Sequence, residues 1–245
     1  MDIHVAKTPK ELGCQAAQRI AALLREAIAE KGSARLLLST GASQFETLAY
    51  LVKEKLDWSK VEMFHLDEYV NLPDKHKASF RDYLVKRFTS KVNLKAAHFV
   101  NGKGDVSANI ASLSKEYSKA PMDVGVIGIG QNAHIAFNDP PADFKTKKIY
   151  FIVKLDKKCK QQQVGEGWFK NEAEVPPTAI TLTPYAIMKC KHIVSSVPHK
   201  VKADAIFNTL TKKITPSVPA TLLKTHPDFH LYLDAESAAK VFPVK

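Results

Sequence analysis

The sequence predicts an α/β fold: a single domain over residues 1–245 with an open, mostly parallel, Rossmann-like sheet, helices on both faces and a lid segment at 157–178. Three observations predict it. Short apolar runs of strand length alternate with amphipathic stretches of helical period. Polar, glycine-containing clusters follow several of those runs, where loops leaving the carboxyl ends of parallel strands bind ligands. The chain has 245 residues, 45% of them hydrophobic, enough for one ordinary core.

Asp2 to Ala6 reads as the first strand. Thr8 as N-cap, Pro9 at the first helical position and Glu11 three residues after Thr8 open a long amphipathic helix that Gly32 ends. Ala34 to Thr40 is a buried strand, followed by Gly41, Ala42 and Ser43 and a helical pattern carrying Phe45, Leu48, Ala49, Leu51 and Val52. A strand, a glycine turn and a helix start turn free amides toward an anion, and Ser39, Thr40 and Ser43 add hydroxyl donors. The turn is neither a Walker loop nor GxGxxG, so by spacing alone a capped turn and a phosphate site explain it equally well. Val61 to Phe64 is another strand, and HLDEY at its end sets Asp67 and Glu68 where function is expected. At least one of these carboxylates is expected to face the cleft, where desolvation raises its pKa and makes it a base. His65 and Asp67 share a strand face, which leaves a metal reading open, but no third ligand has fitting spacing and no metal is expected.

Ser79 to Thr89 reads as an amphipathic helix, and Asn101 to Asp105 as a turn before another helix. Met122 to Ile129 then forms a short buried strand with Gly125 and Gly128 in it. The strand stops at Gly130, and Gln131, Asn132, His134, Asn138 and Asp139 follow before Pro140 and Pro141 forbid a helix. Asp139 lies five residues beyond His134, near enough to orient its imidazole in an acid–base pair. Ile149 to Leu155 is a strand. The stretch QQQVGEGWFKNEAEVPPTA departs from both helix and strand periods and is read as the candidate lid, with Trp168 and Phe169 either covering a ligand or making a satellite core contact. Ala179 to Thr183 and His192 to Val197 are further strands. A helix from about His199 to Lys212 holds Lys200 and Lys202 in its first turn, either within reach of an anion.

The formal charge of +11 comes from scattered lysines, without a basic stripe or a nucleic-acid-binding signature, so no nucleic-acid partner is expected. No apolar run approaches the roughly 18 residues that span a bilayer. The opening MDIHVAKTPKEL lacks the organisation of a signal peptide, and Cys14, Cys159 and Cys190 have no metal or disulfide spacing. A soluble, cytoplasmic protein with reduced thiols and no membrane partner is expected.

With TGASQ after one strand, HLDEYV after the next and GIGQNAHIAFNDPP after a third, the chain resembles the glucosamine-6-phosphate deaminases, also called glucosamine-6-phosphate isomerases. The resemblance covers nearly the whole length, continuing in VPPTAITLT, VPHKVKADA and SVPATLLKTHPDFHLYLD. HIAFND favours this branch over the related 6-phosphogluconolactonases, which resemble GHTASLFP there. The resemblance implies conversion of an amino-sugar phosphate to fructose 6-phosphate and ammonia, with no metal or organic cofactor. It makes Asp67 the base that moves a proton between carbon 2 and carbon 1, and His134 the group that assists ring opening. Asp139 stands where the family usually has a longer Glu. Ser43 and Lys202 match phosphate-binding positions, with Thr40, Gly41 and Ala42 in the same turn; Glu68, Gly130, Gln131 and Ala133 are grouped with them as substrate-binding. The family's GNDGH reads GQNAH here, so Asn132 replaces an acid beside the His and only hydrogen-bonds, and Ala133 replaces a Gly. The lid lacks the family's phosphate-contacting Arg, leaving Lys160 or one of Gln161, Gln162 and Gln163 as substitutes. Three other readings remain at this point: a 6-phosphogluconolactonase, a galactosamine-6-phosphate deaminase and a sugar-phosphate sensor. Family members are variously monomers and hexamers, so a homo-oligomer stays open.

Overall fold

Thr8 begins the long first helix as its cap. In a computed structural model describing residues 1–73 and 75–242, strand β1 (Asp2–Ala6) leads into helix α1 (Pro9–Lys31), and the Thr8 hydroxyl accepts the Glu11 amide. Glu11 returns not to the Thr8 amide but to that of Lys7. Gly32 closes the helix at φ 79°, a left-handed conformation glycine takes without a Cβ penalty, and donates to Ile28. Strand β2 (Ala34–Leu38) follows, then a 3₁₀ turn (Ala42–Gln44), α2 (Phe45–Leu51), β3 (Val61–His65) and β4 (Asp67–Tyr69). Next come α3 (Phe80–Leu84), continuing as a π-helical turn over Val85–Thr89, β5 (Ala96–His98), α4 (Val106–Tyr117) and β6 (Val124–Val126). The chain closes with β7 (Tyr150–Lys154), α5 (Lys157–Gly165), β8 (Thr178–Leu182), α6 (Pro184–Ile187), β9 (His192–Val197), α7 (Ala203–Thr211), β10 (Phe229–Asp234) and α8 (Ala235–Ala238).

Seven strands form a parallel sheet in the order β1-β10-β9-β6-β2-β3-β5. Both its faces are covered, and the period of two divides β2 between them. Leu36 and Leu38 pack with Leu12, Ile20 and Leu24 of α1, whereas Leu37 joins Ile127 and Ile193 on the other side. From β2 the chain winds outward through β3 and β5, then returns to lay β6 on the opposite flank of β2. The loops after β2 and β6 therefore part at a topological switch point, the place where open sheets of this kind bind ligands.

Three sequence expectations are corrected. HLDEY does not simply follow one strand: His65 ends β3, and Asp67–Tyr69 form β4, which pairs antiparallel with β8, and β8 with β7, in a second, three-stranded sheet. Only Val124–Val126 of the run Met122–Ile129 is strand, although Ile127 still donates to Val194. The 157–165 stretch is helical; Asp156 caps it by accepting the Cys159 amide at 2.7 Å. It buries just Cys159 and Gln163, so it carries no apolar stripe by which a helix is recognised.

Candidate active site

A cleft opens at the switch point, walled by the turn after β2, the loop after β6, the start of β4, the α5 segment and the turn after β9. On one side Thr40, Gly41, Ala42 and Ser43 line it. Gly41 adopts φ 100°, which a side chain would strain, and its carbonyl is fixed by the Tyr83 hydroxyl at 2.9 Å. The amides that start the 3₁₀ turn precede its first hydrogen bond, so they remain available to an anion. Ser39 and Gln44 line the same wall, and Ser39 Oγ and Gln44 Oε1 are buried without a protein partner. Such atoms cost free energy unless a ligand or water meets them.

Lys202 comes to this wall from the short turn before α7 and is only 7% exposed. Burial lowers its pKa, and the Glu166 carboxylate partly offsets that. Lys200, the other lysine of that turn, is exposed; its amide binds Glu236 and it does not line the cleft.

Asp67 lies on the cleft floor, 5% exposed. Desolvation, then the neighbouring Glu68 charge, push its pKa up to about 8 against a hydrogen bond from the Phe137 amide. Glu68 does not line the cleft, contrary to its grouping with the substrate-binding residues. In a strand, adjacent residues point to opposite faces. Its carboxylate instead accepts the amides of Tyr69 (2.9 Å) and Arg81 (2.8 Å) and the Ser79 hydroxyl (3.0 Å), fastening β4 to the start of α3. Burial still raises its pKa above the ordinary carboxylate value, against those donors.

On the third wall, His134 Nδ1 lies 2.7 Å from Asn132 Oδ1 and 3.2 Å from Asp139 Oδ1. Asn132 Nδ2 donates to that same Asp139 oxygen at 2.9 Å, and the His134 amide donates back to Asn132 Oδ1. Two acceptors at Nδ1 keep the ring proton there and leave Nε2 as the free base. Burial raises the Asp139 pKa, but hydrogen bonds and charge from His134, with bonds from Asn132 and Cys159, outweigh it and hold the group below its usual range. Gly130 is required by close approach: a Cβ there would fall 2.2 Å from His134 Cε1. Ala133, at φ 65°, holds the tight turn from its buried side and, like Asn132 and Asp139, backs the cleft without lining it; Gly130 and Gln131 do line it.

From α5 and the turn beyond, Gln162, Gln163, Glu166 and Trp168 line the cleft, but Lys160 does not, being turned round the helix from Cys159 and Gln163. The Tyr69 hydroxyl donates to Gln163 at 2.7 Å, and Phe169 packs edge-on against Tyr69, so of this aromatic pair Trp168 faces the cleft and Phe169 the core. Sequence reasoning missed Gln44, Phe80, Phe137 and His199 as lining residues. His199, at φ 80° and ψ 145° with its amide on Asp234, lies in a conformation no local pattern announces. His65, fully buried with its pKa dropped by desolvation to about 3, and Asp67 belong to no converging group of three ligands among the described residues. Among the described residues the converging ligand groups are Asp2, Asp228 and His230, and His199, Asp234 and Glu236.

Fold and cleft define the class: an α/β enzyme whose cleft, at the carboxyl edge of a parallel sheet, sets Asp67 and His134 opposite the glycine turn after β2. The chain belongs to the family of glucosamine-6-phosphate isomerases and 6-phosphogluconolactonases, whose family model matches residues 7–231. It is 33% identical over 213 residues to a glucosamine-6-phosphate deaminase of Staphylococcus epidermidis, covering 83% of this chain and 86% of that one. Over 232 residues it is 33% identical to a deaminase of the same name from Thermoanaerobacter pseudethanolicus, covering 91% and 90%. A monomeric glucosamine-6-phosphate deaminase of known structure superposes with a TM-score of 0.89 at 28% identity, over 98% of this chain and 100% of that one. The 6-phosphogluconolactonase of Trypanosoma brucei, at 16% identity and a TM-score of 0.78 over 98% of each chain, shares the fold.

Proposed function

We propose that the protein is a cytoplasmic glucosamine-6-phosphate deaminase, converting the amino-sugar phosphate and water to fructose 6-phosphate and ammonia. One observation carries the reading: a buried carboxyl, Asp67, and His134, held from behind by Asn132 and Asp139, share a cleft whose other end is a glycine turn with a buried lysine. The phosphate occupies the free amides of Gly41, Ala42 and Ser43, the Ser43 hydroxyl and Lys202. This fixes the sugar so that its first two carbons reach the acid–base groups. His134 Nε2 takes the proton of the anomeric hydroxyl as the C1–O5 bond breaks and delivers it to O5, with Asp139 and Asn132 holding the ring. Ionised Asp67 then removes the C2 proton while the substrate's own ammonium passes a proton to O1, giving a neutral enolamine. The same carboxyl returns the proton to C1, leaving an iminium at C2 that water hydrolyses to ketone and ammonia. A substrate ammonium beside Asp67 favours the ionised form that burial alone opposes. Segment 157–178 acts as a lid, with Gln162, Gln163 and Trp168 over the sugar in place of an arginine.

The test is incubation of purified protein with glucosamine 6-phosphate, galactosamine 6-phosphate and 6-phosphogluconolactone, measuring ammonia, ketose phosphate and lactone. Ammonia and fructose 6-phosphate in equal amounts from the first are expected. Lactone loss without ammonia, or tight binding of the sugar phosphate without turnover at any pH, refutes the reading.

A further inference from the structure

The α5 segment carries an acid where neither the helix nor a phosphate favours one. Glu166 caps the carboxyl end of α5 with its amide on the Gln162 carbonyl, and Gly167, at φ 78°, turns the chain so that Trp168 reaches the cleft. The last carbonyls of a helix form a negative end, which a lysine or arginine suits and a carboxylate does not. Two donors nevertheless fix this carboxylate: Gln162 Nε2 gives to Oε1 at 2.8 Å and Trp168 Nε1 to Oε2 at 3.1 Å. All three residues line the cleft, and among the described residues Asp67 and Glu166 are the two carboxyl groups that do. Lys202 lines the same cleft, close enough for the Glu166 charge to act on it. A carboxylate near the seat of a phosphate repels it, so this acid costs affinity for any sugar phosphate that brings no positive charge. A substrate carrying an ammonium recovers that cost. A carboxylate has about four acceptor positions, of which Gln162 and Trp168 use two, and an ammonium has three N–H donors, so it meets Glu166 while still facing Asp67.

We propose that Glu166 is a specificity-determining residue that receives the substrate's ammonium, so that the cleft takes amino-sugar phosphates in preference to neutral sugar phosphates and lactones. The proposal rests on the deaminase reading for the class of substrate, but its test needs no turnover.

The experiment titrates two unreactive open-chain ligands by calorimetry, 2-amino-2-deoxyglucitol 6-phosphate and glucitol 6-phosphate, which differ by an ammonium against a hydroxyl at C2. Wild type is compared with Glu166→Gln, which keeps the shape without the charge, and Glu166→Asp, which keeps the charge; thermal melting checks the fold of each. Wild type binds the amino ligand more tightly. In Glu166→Gln the Kd of the amino ligand rises about tenfold, while the neutral ligand binds as tightly as to wild type or more tightly. Glu166→Asp keeps most of the preference. With glucosamine 6-phosphate, KM of Glu166→Gln rises about tenfold and kcat changes little. Equal weakening of both ligands overturns the proposal, because the carboxylate would then serve only to hold Gln162 and Trp168. Equal tightening also overturns it, since the charge would then act on the phosphate alone, and so does unchanged binding of both. Should the wild type release no ammonia yet show the preference and lose it in Glu166→Gln, the deaminase reading fails and the role of Glu166 stands; a wild type without the preference overturns that role whatever its turnover.

Discussion

Replacing Asp67 by Asn should stabilise the protein while nearly abolishing its activity. Asp67 is 5% exposed, and its pKa is raised from 3.8 to about 8, by desolvation first and by Glu68 second. Between those values the unfolded chain has lost the proton and the native protein keeps it. Stability therefore falls as pH rises, by about 1.4 kcal/mol per unit from this group alone. By pH 7 the accumulated cost is up to about 4 kcal/mol, a large share of the roughly 5–15 kcal/mol that ordinary domains possess. Asparagine keeps the shape and has no such term. The informative quantity is the difference in unfolding free energy between variant and wild type, from urea titrations at pH 5, 6 and 7, since terms common to both cancel. It should grow by about 3 kcal/mol over the series. Parallel curves would show that Asp67 titrates as an ordinary carboxyl, and the assignment of a desolvated base would fall. In parallel, kcat/KM of the wild type should rise with pH toward a plateau above about 8, as the base form of Asp67 appears. Solvent exchange of the C2 proton should vanish in the variant, and persistent exchange would move the base elsewhere.

Glu68→Gln removes the second cause of the Asp67 shift, so the rising limb of kcat/KM should move to lower pH; an unmoved limb would make desolvation the whole cause. Gly130→Ala brings a Cβ within 2.2 Å of the His134 ring and should cost kcat on the order of a hundredfold through a displaced imidazole, checked by steady-state kinetics against a melting temperature near wild type. Lys202→Ala and Ser43→Ala should each raise KM for the phosphorylated sugar more than they lower kcat, by about 1.5 to 3 kcal/mol for a lost charge-assisted bond. The same loss with unphosphorylated glucosamine would mean that these residues support the fold and not the phosphate.

Much of the fold was legible because its signals are local. A capping Thr8, a terminal Gly32 and the apolar period between them specify α1 within its own residues, and the buried runs at Ala34, Val61 and His192 specify strands in the same way. The loops after β2 and β6 were legible too, because Gly41–Ser43 and Gln131–Asp139 concentrate polar groups directly after apolar strands, and the structure brings both to one cleft. What the sequence left undecided depended on partners far along the chain. Whether Asp67 and Glu68 share the cleft turns on β4 pairing with β8 more than a hundred residues later, and that pairing makes Asp-Glu-Tyr a pleated strand whose adjacent side chains diverge. Helix α5 escaped notice because the face it buries is a thiol and an amide, Cys159 and Gln163, the amide seated by the distant Tyr69 hydroxyl. Periodicity records the apolar surface that a segment hides from water; it carries no record of which distant polar group a buried side chain will meet.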